Sequence, residues 1–318
     1  MKIRSSLAGL GWLVAFSALS AAAMVLGFWG HHAPPAAHLH SQIAGLGVEF
    51  GLNLAVLGLC FALLPGARRD PALPQPFGLV QGVWGLAGFG ITMAAGGLLL
   101  FNVVTLENLI LIARHNPARV DFSSTDLLRA TALAGEITAA LWVVWYFRRL
   151  GPARAADGSA TGIAWRAAPA RAYGVALAAA AGLLVIVTAI NHFLPPDMDK
   201  LQALPMAKVF EGSGISVLPL LILAMFVAPA LEEIVFRGIA FAGLATRFGP
   251  GWAGAITTVI FMAAHAQVKI HYLPGFFDVG LMAVAAVWLR LKFHSIRPGI
   301  LLHIVYNTGA MLSASWFS

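Results

Sequence analysis

Residues Ile215–Leu244 read ISVLPLLILAMFVAPALEEIVFRGIAFAGL, an apolar run interrupted only by two adjacent glutamates, Glu232 and Glu233, and by Arg237. The run exceeds the ~20 apolar residues that cross a bilayer as a helix. A charged side chain at bilayer depth costs at least ~2.5–3.5 kcal/mol on insertion scales, so three so close together require a partner network, a function, or both. This stretch sets the expected fold class, an all-α bundle of transmembrane helices, and it sets the search for a site.

The composition agrees along the rest of the chain. Of 318 residues, 59% are apolar and 10% charged, where a soluble domain carries ~25% charged residues. The net charge of +7 could suggest nucleic acid, but Lys and Arg sit in short loops between apolar runs, where they fix orientation in the membrane. No nucleic-acid partner is expected. The single cysteine, Cys60, lies inside an apolar run and permits no disulfide within the chain.

Hydropathy predicts about nine spans, eight at the fewest. They cover Leu7–Trp29, Ile43–Leu64, Phe77–Val104, Leu127–Phe147, Tyr173–Phe193, Ser216–Arg237, Trp252–Gln267, Phe276–Leu291 and Gly299–Phe317. Arg148, Arg149, Arg154, Arg166 and Arg171 gather in one loop, which with Lys2 and Arg4 places the N-terminus in the cytoplasm. The location expected is a bacterial inner (cell) membrane. Residues 1–150 then form a four-span region of unknown role, 151–172 a flexible cytoplasmic linker, and 173–318 a five-span region. Thr105–Asp126 reads as a polar external loop with room for an interfacial helix. The loop HHAPPAAHLH, residues 31–40, reads as solvated rather than as a metal site, because its prolines and irregular spacing preform none.

Three further acids, Glu49, Glu136 and Asp278, lie in or beside spans with no acidic or basic residue one helical turn away; they read as structural carboxyls. The C-terminal region differs. EExxxR (Glu232, Glu233, Arg237) is followed by FxxxH (Phe261, His265) and then by HxxxN (His303, Asn307). Side chains at i and i+4 share a helix face, so each motif projects its polar groups together. Glu233 precedes Arg237 by four residues in the acid-then-base order that favours an ion pair. Glu232 points ~100° away round the helix, which leaves it for chemistry, unless the long Arg237 side chain orients Glu232 instead. Gly249-Pro250-Gly251 is a turn signal. Glu232 and His265 stand at similar distances on either side of it and can meet across the hairpin, whereas His303 lies only a few residues past the Arg297-Pro298-Gly299 turn and fits that depth less well. Pro229 would kink its helix and open backbone carbonyls near the cluster.

EExxxR, FxxxH and HxxxN, in this order within hydrophobic helices, resemble the CPBP (Abi) intramembrane proteases, which include the type II CAAX prenyl endopeptidases and bacteriocin-processing or immunity proteins. The resemblance covers about residues 216–313. It implies an intramembrane endopeptidase acting on a membrane-associated protein or peptide, with Glu232 and His265 activating a water. His303 and Asn307 would stabilise the oxyanion, and Glu233, Arg237 and Phe261 would support them. It indicates neither a substrate nor an oligomeric state.

The expected mechanism is glutamate-dependent and uses no cofactor. The alternative is a divalent metal such as zinc at Glu232, His265 and His303, since one Glu and two His can furnish a catalytic zinc site. Two other functions compete: a proton-coupled transporter subunit, which Glu49 and Glu136 would suit, and a non-catalytic immunity-like membrane protein of the same fold.

Overall fold

The computed structural model describes residues 77–114, 125–202, 210, 217–269 and 271–316. Every regular element among them is helical: α1 (Leu79–Ala113), α2 (Thr125–Leu150), α3 (Pro152–Ala156), α4 (Ala170–Phe193), α5 (Met198–Gln202), α6 (Leu218–Ala264), α7 (Ala266–Lys269), α8 (Pro274–Phe293) and α9 (Arg297–Trp316). Four of these, α1 over Leu79–Leu111, α2, α4 and α6, are long and apolar enough to cross a membrane. The chain is an integral membrane protein. The first two expected spans, Glu49, Cys60 and the histidine loop lie outside the described residues.

Helix α6 contains both the sixth and the seventh expected spans. Gly249 stands between them with φ 77° and ψ 166°, a backbone conformation open to glycine, followed by Pro250. The chain turns back there as the sequence predicts: the Phe236 and Phe261 rings, one from each arm, meet edge to face at 5.1 Å.

Two expectations are corrected. Thr105–Asp126 does not begin as a loop, because α1 continues through Thr105 to Ala113. The polar side chains that suggested an end spend their hydrogen bonds on the helix itself: Asn102 Nδ2 donates to Leu98 O at 2.9 Å and Thr105 Oγ1 to Phe101 O at 2.9 Å. The second correction concerns the linker. Ile163 and Ala164 are buried, Ile296 N–H donates to Ala164 O at 3.0 Å, and Ser295 Oγ donates to Arg166 O at 2.6 Å. This stretch is packed against the turn between α8 and α9 and is no loose tether. It also carries its own turn. Asp157 accepts the Ser159 backbone N–H and hydroxyl at 2.9 Å each, and those bonds hold its carboxyl below the usual range.

The described residues fall into two compact units, one of 91–114 and 125–138, the other of 77–90 and 139–316. Within the first, Thr138 Oγ1 donates to Thr92 O at 2.6 Å. The second holds all three motifs, and it includes the start of α1 and the end of α2, which the sequence reading had placed in a separate N-terminal region. Its helices approach at glycines. A Cβ built on Gly82 would lie 2.7 Å from the Gly243 Cα, and one on Gly243 2.6 Å from the Gly82 Cα. Close backbone approach at small residues is the usual way membrane helices associate. Gly243→Leu is therefore expected to destabilise the protein by ~1–3 kcal/mol or more, the cost of overpacking. Thermal unfolding in detergent measures this, and an unchanged midpoint would show that α1 and α6 do not touch there.

Candidate active site

The first arm of α6 is not a uniform α-helix. Two stretches, Leu223–Val227 and Glu233–Ala240, close through wide i→i+5 turns and flank a single α turn, Ala228–Glu232. Wide turns within α-helices occur often at functional sites. Here the junction between Glu232 and Glu233 falls where one helical pitch gives way to the other.

Glu233 is fully buried and takes two partners on one oxygen. Its Oε1 lies 3.2 Å from Arg237 Nη1 and accepts from His303 Nδ1 at 3.2 Å. Its Oε2 is buried without a hydrogen-bond donor and faces Gly299, where a built Cβ would come within 3.3 Å. The Arg237 guanidinium, also fully buried, makes this close ion pair without an aligned hydrogen bond and lies 4.3 Å over the Phe261 ring. The expected Glu233–Arg237 pair is present.

Glu232 is 19% exposed, and its Oε2 stands 3.8 Å from His303 Nε2. One imidazole thus has a glutamate at each nitrogen. The sequence reading set the two glutamates on different faces with separate tasks; the structure brings both to His303. The misfit in depth also resolves, since α9 begins at Arg297 and His303 reaches the pair from its second turn.

Phe261 is the hub on the other arm. Its buried ring touches Phe236 at 5.1 Å, His265 at 4.6 Å and His303 at 5.8 Å, beneath Arg237. His265 ends α6. Its backbone N–H turns to Met262 O at 3.1 Å, and its ring Nδ1 donates to Phe261 O at 2.8 Å. That bond fixes the proton on Nδ1 and leaves Nε2 as the proton acceptor. His265 is therefore joined to His303 through the Phe261 ring.

Asn307 donates through Nδ2 to Ala224 O at 3.2 Å, across to the first wide turn of α6. Among the described residues, no three His, Cys, Asp or Glu side chains are arranged to hold a metal ion. The Glu232, His265 and His303 set considered for zinc is thus not assembled as ligands.

Two features escaped the sequence reading. Asp278 is not solitary: Lys269 Nζ lies 3.3 Å from its Oδ2. Arg290, read as one of the loop cations that orient the chain, is buried. It donates to Arg237 O through Nη1, to Gly162 O at 2.7 Å, to Ala160 O at 3.1 Å and to Ile163 O at 3.4 Å, and it lies 4.0 Å over the Phe241 ring. Nothing in its position, two residues before Lys292, distinguishes it in sequence from a solvated arginine.

Comparison with curated proteins and with solved structures gave no match. Comparison with protein families did: residues 214–309 match the family described as type II CAAX prenyl endopeptidase Rce1-like, and Glu232, Glu233, Arg237, Phe261, His265, His303 and Asn307 all fall inside that segment. The part of the chain that assembles this cluster is thus Rce1-like, the family to which the order of its three motifs points.

Proposed function

We propose that the protein is an intramembrane endopeptidase that hydrolyses a peptide bond of a membrane-associated protein or peptide. The observation that carries this reading is the His303 imidazole held between Glu232 and Glu233, inside the Rce1-like segment. The match itself supports a protease of the CAAX type. The assignment of individual roles rests on chemistry.

Glu232 is the general base. It is the more exposed of the pair, while Glu233 is committed to Arg237 and His303. A base must stand within ~2.6–3.2 Å of the water it activates, and of the two carboxylates only Glu232 has access. His265, with Nε2 left as an acceptor, shares the proton taken from that water. His303 and Asn307 supply N–H groups to the developing oxyanion, which is stabilised best by donors already oriented. For His303 this has a consequence. Nδ1 gives its proton to Glu233, so Nε2 can donate only when the ring carries both protons.

The test compares membranes of cells that make the wild-type protein with those that make Glu232→Gln or His265→Ala, by mass spectrometry of new protein termini. Termini present with the wild type and missing with both variants support the reading. Identical sets of termini in all three, from equally abundant protein, would sink it. Reconstitution in proteoliposomes separates the transporter alternative, which requires cation-dependent flux without cleavage.

A further inference from the structure

The wide turn at Leu223–Val227 has an identifiable cause and leaves an identifiable vacancy in the backbone hydrogen-bond ladder. Ala228 N–H donates to Leu223 O, five residues back. In that pattern the next acceptor, Ala224 O, requires its donor from residue 229. Residue 229 is proline and has no N–H. The α-helical donor for Ala224 O, Ala228 N–H, is already on Leu223 O. A buried carbonyl without a donor is costly in a membrane helix unless another group supplies one, and Asn307 Nδ2 on α9 stands 3.2 Å from it. Only the amide nitrogen can serve an acceptor, so this bond also fixes which way the Asn307 amide faces.

We propose that Pro229 is a positioning residue: by withholding an N–H from the Ala224 carbonyl it reserves that carbonyl for one N–H of Asn307, which orients the amide and leaves its second N–H for the oxyanion. The inference rests on the oxyanion role given to Asn307 above, but the backbone part of it stands on geometry alone. Pro229 lies three residues before Glu232, so the same residue that opens the carbonyl also sets the pitch at which α6 enters the glutamate pair. The second wide turn, without a proline, also has a carbonyl served from another helix. Phe241 N–H, which would serve Arg237 O in an α-helix, goes to Phe236 O and Gly238 O instead, and Arg290 on α8 donates to Arg237 O.

A double-mutant cycle in purified full-length protein tests this. In the proline background, Asn307→Leu is expected to lower the thermal midpoint by roughly 2–4 °C, the shift of a lost, partly buried hydrogen bond in a chain of a few hundred residues. In the Pro229→Ala background, where the backbone can serve Ala224 O itself, the same change is expected to cost less than about half of that. Pro229→Ala should also move the Asn307 side-chain amide signal in a nitrogen–proton NMR spectrum, identified by its loss in Asn307→Gln. With a farnesylated fluorogenic peptide as the probe, Pro229→Ala should lower kcat several-fold at little-changed KM. Equal costs of Asn307→Leu in both backgrounds, with an unmoved amide signal, would overturn the proposal even if the wild type cleaves the peptide. A coupled cycle with kcat unchanged would overturn the positioning role. If the wild type does not cleave this peptide, a farnesylated peptide is not its substrate, and the cycle with the amide signal still decides whether Pro229 opens the carbonyl.

Discussion

Glu232→Gln is expected to reduce cleavage by at least about 10²–10⁴-fold, the contribution of a positioned general base, while leaving the protein folded. The substitution keeps the shape of the side chain and removes only its basicity. Glu232 is partly exposed, and its 3.8 Å separation from His303 Nε2 is too long for a strong bond, so its neutralisation is expected to cost less stability than that of the fully buried Glu233. Glu233→Gln should behave in the opposite way. Glu233 Oε1 lies 3.2 Å from the Arg237 guanidinium, and both side chains are fully buried. Removing one partner of a buried pair costs ~3–5 kcal/mol, because the other charge remains desolvated. Glu232→Gln should thus purify in normal yield with the higher thermal midpoint of the two and no activity, and Glu233→Gln should unfold early or fail to accumulate. If the two variants are equally stable and Glu233→Gln is the more inactive, the base is Glu233 and the roles must be exchanged.

Much of this pair was legible in the sequence, because helical spacing alone puts Glu233 under Arg237. The ordering of the motifs led correctly to the Rce1-like family over residues 214–309. What spacing did not disclose was that both glutamates meet one histidine. That reading assumed a uniform α-helix, in which adjacent residues diverge by ~100°. The wide segment beginning at Glu233 changes the pitch at that point. Pro229 was expected to open carbonyls near the cluster, and it does, but the acceptor it opens and the Asn307 amide that fills it are set by tertiary packing. The packed linker was illegible for a related reason: its Ala, Gly and Arg content describes a soluble loop, while its order comes from Arg290, more than a hundred residues away in the chain. The mutual approach of Gly82 and Gly243 likewise depends on which helices are neighbours, information that no single helix carries.

Arg290→Met is expected to produce the largest loss of stability of any single substitution on the α8 side of the site. Arg290 is 2% exposed, and its guanidinium donates to four backbone carbonyls, those of Ala160, Gly162, Ile163 and Arg237. Methionine fills much of the same volume and keeps contact with the Phe241 ring, so the substitution isolates the hydrogen bonds from the packing. Leaving one buried polar group without its partner costs ~1–3 kcal/mol, and four acceptors lose theirs at once, against a typical total stability of ~5–15 kcal/mol. Lysine offers three donors on a flexible stem but not the planar fork that spans several acceptors, so Arg290→Lys should recover only part of the loss. The carbonyls involved tie residues 160–163 to the backbone of the helix that carries Glu232, Glu233 and Arg237. Loss of Arg290 should therefore free the linker and the wide turn together, seen as early hydrogen exchange at both 157–166 and 233–240 in the same variant. Rapid exchange confined to the linker would mean that Arg290 serves only as a cap on the loop. A thermal midpoint for Arg290→Met within about 2 °C of wild type would mean that the buried carbonyls find other donors, and that the clamp is no part of what holds the glutamate pair in place.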